Sequence, residues 1–130
     1  PLINLFKMDK IFPEEGYGHL AKQMLKNVQK DFLRSAHGFS NWLHLVLFYH
    51  LDFYEIAIVG EDYEAMGVEI GKRYVPNSFL AGCPKEGHID LLKNRYVIDK
   101  TLAYVCIEGA CKLPVETLED VWKEVQLPLE

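Results

Sequence analysis

The chain has 130 residues, of which 49% are hydrophobic and 25% are charged, the composition of a folded globular domain with a core of its own. Its net charge of -5 opposes both sequence-independent nucleic-acid binding and a polybasic membrane surface, because each draws its affinity from excess Lys and Arg. The longest apolar run, Trp42 to Leu51, is about half of the roughly 20 residues that a membrane span needs. We therefore expect neither a nucleic-acid partner nor a membrane partner.

Cysteine usage indicates the redox compartment. The three cysteines are an odd number in a chain with ample core, so they do not suggest the disulfide framework of a small secreted domain. The first ten residues also lack the charged start and apolar centre of a signal peptide. We expect a reducing, cytoplasmic location.

Two helices are predicted in the N-terminal part of the chain. The first covers His19 to Arg34, where apolar side chains recur every four residues along one face. The second runs from Ser40 to about Leu51, and we expect the Ser40 side chain to cap it by accepting a backbone N–H bond. This second segment, SNWLHLVLFYHL, is apolar almost all round, which predicts that most of its circumference is buried.

A βαβ unit is predicted next. Tyr54 to Gly60 is a β-branched run that ends in glycine, which is typical of a strand buried on both faces. Glu61 and Asp62 favour the start of a helix from about Tyr63 to Tyr74, since acidic side chains suit the positive end of the helix dipole. Residues 78–81 predict a second strand, parallel to the first and joined to it by a right-handed crossover.

The C-terminal part of the chain predicts a strand, a hairpin and a helix. Thr101 to Cys106 gives the strand, and Glu108-Gly109 gives a tight turn after it. Thr117 and Asp120 have the spacing of a capping box, with Asp in place of the usual Glu or Gln. The apolar stripe of the helix that follows consists of Leu118, Val121, Trp122 and Val125.

Together these elements predict an α/β fold. Two N-terminal helices pack on a small three- to four-stranded sheet, which has a βαβ unit, a C-terminal hairpin and a final helix. The composition shifts near Phe53, so residues 1–52 form a helical segment and residues 53–130 a small α/β subdomain. We expect the two to make one compact unit. Residues 82–96 are ambiguous, with a short helix over 89–94 as one interpretation.

Cys106 and Cys111 flank the predicted turn. If Glu108 and Gly109 are its two residues, the cysteines lie directly opposite each other, where Cα atoms are about 4.5–5.5 Å apart. A disulfide needs about 4.4–6.8 Å, so a bridge is geometrically possible. The favoured interpretation is a pair of reduced cysteines packed as small apolar residues, and the alternative is a reversible disulfide that serves as a redox pair. A metal site is disfavoured, because no second pair of ligands follows at a zinc-binding spacing.

The other candidates for chemistry carry weaker signals. The turn from Gly60 to Asp62 lacks any nucleotide-binding motif and is interpreted as a βα turn with an acidic cap. His88, in a charged loop, is the best general-base candidate. Trp42 and His44 can be read as a ligand-facing, sugar-binding surface, although aromatic residues at helical spacing favour packing between helices. We assign no catalytic residue, no metal and no cofactor.

Several segments occur in a distinctive order along the chain. They are NLFKM at Asn4–Met8, KQML at Lys22–Leu25, SNW at Ser40–Trp42, YEIAIVG at Tyr54–Gly60, AYVC at Ala103–Cys106, and Cys111 with Pro114-Val115. This succession resembles the C-terminal end of the spermatogenesis-associated protein 20 family, whose bacterial members are thioredoxin-domain-containing proteins. The most specific parts of the resemblance are the E-I-x-I-V-G strand and the A-Y-V-C-x₄-C-x-x-P-V segment.

The resemblance implies a larger parent protein. Full-length members combine a thioredoxin-like N-terminal domain with an α/α six-hairpin toroid, similar to the toroids of sugar epimerases and glycosidases. Residues 4–51 would then be the closing helices of the toroid, and the chain from Tyr54 onward an α/β appendage. Any sugar site would be lined mainly by residues outside this chain.

The leading expectation is therefore a non-catalytic structural or interaction module within a larger protein whose role is linked to carbohydrates. Its partners would be the missing toroid and thioredoxin-like part, or a second copy of the chain. Two alternatives stand beside it. One is a thiol redox accessory domain that uses Cys106 and Cys111, and the other is a sugar-binding or sugar-modifying fragment with Trp42 and His44 at the ligand.

Overall fold

Five α-helices and one four-stranded sheet make up the part of the chain that the computed structural model describes, which is residues 2–32, 34 and 36–126. The α/β fold predicted from the sequence is confirmed. The chain divides between Leu51 and Asp52 into a helical unit and an α/β unit. Within the described residues, no helix has the length and apolar character needed to cross a membrane.

The helical unit contains one helix more than the sequence predicted. Its helices are α1 (Leu2–Ile11), α2 (Tyr17–Val28) and α3 (Ser40–His50), with 3-10 turns at Pro13–Glu15, Gln29–Asp31 and Ala36–Phe39. Only Leu2 and Phe6 are buried in α1, and the polar residues that follow them weaken the apolar pattern of this helix. So short a stripe gives no clear periodic signal.

Two predicted helix boundaries need correction. The helix expected to reach Arg34 ends at Val28, and the chain continues as a 3-10 turn; Leu33 and Ser35 of that region lie outside the described residues. The predicted cap at Ser40 is wrong, because Ser40 is already the first helical residue of α3. Phe39 occupies the capping position and makes no side-chain cap bond.

The expectation that α3 is buried on most sides is also wrong. Leu45 is its one fully buried residue, whereas Leu47 keeps half of its surface exposed. Phe48 and Tyr49 instead pack on Phe6 of α1, with ring centroids 5.5 Å and 5.1 Å apart. These aromatic side chains therefore join helices within the helical unit, in agreement with the packing interpretation.

The α/β unit is a mixed sheet with two helices. Its strands are β1 (Tyr54–Val59), β2 (Ser78–Cys83), β3 (Leu102–Ile107) and β4 (Ala110–Cys111), and its helices are α4 (Tyr63–Gly71) and α5 (Leu118–Glu124). The strand order is β2-β1-β3-β4, with β1 parallel to β2 and antiparallel to β3. The predicted βαβ unit, hairpin and final helix are thus confirmed. The segment over 89–94 forms turns and no helix.

The N-terminal ends of α4 and α5 test the predicted helix caps. Thr117 caps α5 as predicted, since its Oγ1 accepts the backbone N–H of Asp120 at 3.2 Å. Asp62 occupies the capping position of α4, but its side chain makes no cap bond. Gly60 before it has φ 141°, and a Cβ there would lie 2.4 Å from the backbone oxygen of Lys100, so this turn requires glycine.

The sheet buries both faces of β1, as its continuous apolar pattern predicts. We call the side on which α4 and α5 pack the helix face, and its central residues are Tyr54, Ile56 and Ile58. The opposite side, covered by residues 89–96, is the loop face; Ala57, Val59, Leu91, Leu92 and Cys106 form its core. Because side chains alternate along a strand, Glu55 also points to the loop face.

Candidate functional site

The hairpin between β3 and β4 sets the geometry of the candidate site. Glu108 and Gly109 both have left-handed backbone angles, φ 51° and 77°, the combination found in two-residue type I′ turns. The register therefore places Cys106 opposite Cys111. The backbone N–H of Lys112 donates to the backbone oxygen of Val105, the residue before Cys106, at 3.0 Å. The cysteines therefore occupy a non-hydrogen-bonded pair, where facing side chains come closest.

Cys106 and Cys111 are joined by a disulfide, with Cα atoms 3.9 Å apart. The favoured sequence interpretation, two reduced cysteines, is wrong for this structure, and the bridge that the spacing allowed is present. Cys83 is the third cysteine and stays free; its thiol donates to the backbone oxygen of Lys85 at 3.1 Å. Burial raises the pKa of the Cys83 thiol, which disfavours the thiolate and so lowers the reactivity of this cysteine.

The two cysteines of the disulfide differ in their access to solvent. Cys106 is 0% exposed and packs in the core of the loop face, beside Leu91 and Leu92. Cys111, on the edge strand β4, is exposed. An attacking thiolate from solution can therefore reach Cys111, whereas Cys106 is shielded by the protein.

Arg95 places a positive charge against the exposed sulfur. Its Nη2 donates to Cys111 Sγ at 3.0 Å, and its guanidinium lies 4.8 Å from the centre of the Tyr104 ring. The Tyr104 hydroxyl in turn donates to the backbone oxygen of Arg95 at 2.8 Å. Tyr104 thus holds both ends of Arg95, so that the guanidinium is directed at the disulfide.

The electrostatics of this contact follow from its partial burial. Burial lowers the pKa of the Arg95 guanidinium, while Tyr104 and Glu55 oppose that shift. Burial also raises the pKa of the Tyr104 hydroxyl, and the Arg95 charge works against it. Tyr104 therefore keeps its proton near neutral pH and acts as a hydrogen-bond donor, and Arg95 stays cationic because its pKa starts far above neutrality.

Glu55 brings a carboxylate to the same region. It lies in the middle of β1, is only 4% exposed, and is directly opposite Cys106 in the β1–β3 pairing. Phe79 of β2 is its partner on the other side. Glu55 also raises the pKa of the Arg95 guanidinium, so the two opposite charges attract each other. We call Glu55, Arg95, Tyr104, Cys106 and Cys111 the disulfide cluster.

The sequence interpretation found the two cysteines of this cluster and missed the charged residues. A signal for Glu55 was present in the sequence, since it is a single carboxylate inside the otherwise apolar strand YEIAIV. Burial of a charged group is unfavourable unless a partner compensates it. Arg95 had no such signal, because it lies in the segment that showed no regular pattern.

The sequence also predicted Trp42, His44 and His88 as site residues. Trp42 is half-buried and His44 exposed on α3, two positions apart, so they point about 200° away from each other and do not share a helix face. His88 is exposed in the loop before residues 89–96. Across the described residues, no group of three His, Cys, Asp or Glu side chains is placed to hold a metal ion.

No protein-family model, curated protein or solved structure matches this chain. Grounds for a function therefore come from the disulfide cluster and from the sequence resemblance described above. Of the predicted site residues, the cysteine pair is the one for which the structure adds specific chemical neighbours.

We expect Arg95 to activate Cys111 once the disulfide is reduced. A cation beside a thiol favours the thiolate, so Arg95→Gln should slow the alkylation of Cys111 by iodoacetamide at pH 7. The expected loss is about threefold, since a tenfold lower thiolate fraction is partly offset by the greater nucleophilicity of the more basic thiolate. Peptide mass spectrometry measures the rate at Cys111.

Lys93→Gln is the matched control for this substitution. It removes an exposed charge two residues away, and the Lys93 ammonium pairs with Asp90 at 2.6 Å. We expect the control to alkylate like the unsubstituted chain. Equal rates in the Arg95→Gln and Lys93→Gln variants would show that the contact with Cys111 has no effect on its reactivity.

Proposed function

We propose that this chain is a thiol–disulfide exchange module, in which external thiols open and close the Cys106–Cys111 bond. One observation carries the proposal. The disulfide has one buried and one exposed cysteine, and the exposed sulfur accepts a hydrogen bond from Arg95. A bridge that serves stability alone has no need of a cation at its accessible sulfur.

The exchange begins at Cys111, the accessible half of the bond. A thiolate of an external dithiol attacks Cys111 Sγ, the bond between the two cysteines breaks, and its electron pair passes to Cys106 Sγ, which takes up a proton. The second thiolate of the same dithiol then attacks the dithiol sulfur that is bonded to Cys111 and releases Cys111 as a thiolate, which takes up a proton from water. The cysteine pair has then gained two electrons and two protons, and the dithiol has lost two of each as it became a disulfide.

Arg95 favours this route because of where it lies. Negative charge develops on Cys111 as the mixed disulfide is released, and the guanidinium is within hydrogen-bonding distance of that sulfur. A lower thiol pKa also makes a better leaving group in thiol–disulfide exchange. Arg95 thus acts on the accessible cysteine, and the buried Cys106 is the resolving cysteine.

The resemblance to the spermatogenesis-associated protein 20 family supplies a partner for the proposal. A thioredoxin-like domain elsewhere in the parent protein would carry the dithiol that exchanges with Cys111. A cytoplasmic location fits the same scheme, because disulfides in reducing compartments are usually transient, with catalytic or sensing roles.

Trapping of mixed disulfides tests the order of attack. In a Cys83→Ser background, the Cys106→Ser variant keeps Cys111 alone, and the Cys111→Ser variant keeps Cys106 alone. With glutathione disulfide at pH 7, we expect Cys111 to form the mixed disulfide at least about tenfold faster, because its sulfur is accessible and lies beside Arg95. Intact-mass spectrometry of quenched samples gives both rates.

The Cys83→Ser chain itself is the control for this experiment, with both cysteines of the pair in place. We expect dithiothreitol to reduce its disulfide while thermal unfolding still shows a folded chain, and air oxidation to restore it. Equal reactivity of the two cysteines, or a bond that opens only when the chain unfolds, would contradict the exchange function.

A second candidate function is a docking module of a larger protein, and the exposed side of α3 favours it. His44 and Leu47 lie one turn apart there, and Leu51 follows as the C-cap residue of the helix; the two leucines keep 50% and 41% of their surface exposed. Exposed leucines at the end of an apolar helix suit contact with another apolar surface. By the sequence resemblance, that surface would belong to the missing toroid, with self-association in its absence.

Light scattering over a range of concentrations tests this candidate. We expect the chain to associate reversibly, and the double variant Leu47→Gln, Leu51→Gln to stay monomeric because the apolar row is lost. Val68→Gln, which alters an exposed valine of α4, is the matched control and should associate like the unsubstituted chain. A chain that is monomeric at every concentration, or variants that all behave alike, would argue against docking through α3.

A further inference from the structure

We propose that Glu55 is the proton-transfer partner of Cys106, taking the thiol proton when the disulfide closes and returning it when the disulfide opens. This inference rests on the thiol–disulfide exchange proposed above and names the residue that makes the buried half of the exchange workable.

The buried cysteine poses a proton problem. Opening of the disulfide from the Cys111 side leaves the electron pair on Cys106 Sγ, and Cys106 is 0% exposed among apolar neighbours. A bare thiolate in such surroundings is disfavoured, because burial penalises the charged form. Closing poses the same problem in reverse, since the buried thiol must lose its proton before its sulfur can attack. Exchange therefore requires a proton acceptor inside the protein.

Glu55 has the position that such an acceptor needs. It is directly opposite Cys106 in the β1–β3 register, and side chains at directly opposed positions have Cβ atoms about 4.5–5.5 Å apart. Both residues belong to the loop face, and Glu55 is itself 4% exposed. A carboxylate can accept a proton and later donate it, which is the chemistry of a general acid–base group.

The other titratable groups on the loop face are poorly suited to this role. Arg95 has no lone pair to accept a proton at neutral pH. Tyr104 is protonated there, its pKa being raised by burial, and its hydroxyl donates to the backbone oxygen of Arg95. Tyr96 carries a phenol hydroxyl on the same face. Cys83 is opposite Val59 at the other end of β2, about 13 Å from the level of Glu55 at the usual rise per residue.

The closing step balances with Glu55 as the base. In the mixed disulfide, Cys111 is bonded to the sulfur of a small external thiol, here supplied by glutathione disulfide. The Glu55 carboxylate takes the proton of the Cys106 thiol, Cys106 Sγ attacks Cys111 Sγ, and the external sulfur leaves as a thiolate with the electron pair of its bond. Arg95 is attracted to Glu55 and donates to Cys111. It therefore stabilises the negative charge that the Glu55 carboxylate carries before the step and the negative charge that the external sulfur carries as it leaves Cys111.

The experiment follows disulfide closure in the full chain. Reduced protein in the Cys83→Ser background is mixed with excess glutathione disulfide between pH 6 and pH 9, quenched with acid, and analysed by intact mass for mixed and closed disulfide. In the chain that keeps Glu55, we expect the rate of disulfide closure to vary little from pH 6 to pH 8, because the proton passes to an internal base. In Glu55→Gln the mixed disulfide should accumulate, with closure about 100-fold slower at pH 7. Its rate should rise about tenfold per pH unit, since hydroxide must then remove the proton.

Glu108→Gln is the matched control, because it removes the same charge from the exposed turn of the same hairpin. We expect its closure rate and pH profile to match those of the unsubstituted chain. If Glu55→Gln does not fold, Glu55→Asp carries the test: it keeps the carboxylate, withdrawn by one methylene, and should slow closure while the alkylation of Cys111 is unchanged.

The outcomes separate this inference from the exchange function on which it rests. If the mixed disulfide forms at Cys111 and closure is unaffected by substitution of Glu55, the role of Glu55 is overturned and the exchange function stands. If no mixed disulfide forms at Cys111 in any variant, the exchange function itself fails. A Glu55→Gln chain with slow closure and an unchanged pH profile would indicate a structural effect and would also overturn the proton-transfer role.

Discussion

The candidate site depends on the register of one hairpin. The left-handed pair Glu108 and Gly109 closes a two-residue turn, and this turn length places Cys106 directly opposite Cys111. A shift of one residue in β3 would turn its cysteine to the helix face, away from Glu55, since side chains alternate along the strand. The disulfide, its accessible end and the carboxylate beside its buried end all follow from that register.

The second contribution to the site is made by the irregular segment that covers the loop face. Leu91 and Leu92 bury Cys106, and Arg95 then directs its guanidinium to Cys111. Cover and charge come from the same stretch of chain, so the segment that makes one sulfur inaccessible also places a cation against the other. This combination favours the exchange function over the docking function as the use of the α/β unit, while the exposed leucines of α3 belong to the helical unit.

How far the sequence predicts the structure differs between local and long-range features. The hairpin register was predictable, because turn length and the two residues Glu108 and Gly109 determine it locally. The buried strand β1 was predictable from its β-branched run. The extra helix α1 was missed because its stripe has only two buried positions, and the burial of α3 was overestimated because an apolar composition does not reveal which sides meet a neighbour.

The sequence did not predict that Glu55 and Arg95 lie beside the disulfide. Glu55 stands out in its strand as a polar residue in an apolar run, but only the pairing of β1 with β3 shows that it faces Cys106. Arg95 lies in a segment without helix or strand, sixteen residues before Cys111, and nothing in its local sequence predicts the contact between them. Tertiary contacts of this kind are set by the packing of the whole unit and have no local signature.

The most direct test of the account is the reduction potential of the Cys106–Cys111 pair. The folded chain is equilibrated with glutathione buffers of graded potential, the free thiols are alkylated, and the fraction of closed pair is measured by mass spectrometry. A potential in the range of exchanging protein disulfides, about −270 to −180 mV, is the result that the account predicts. A potential below about −300 mV, typical of structural disulfides, would contradict it.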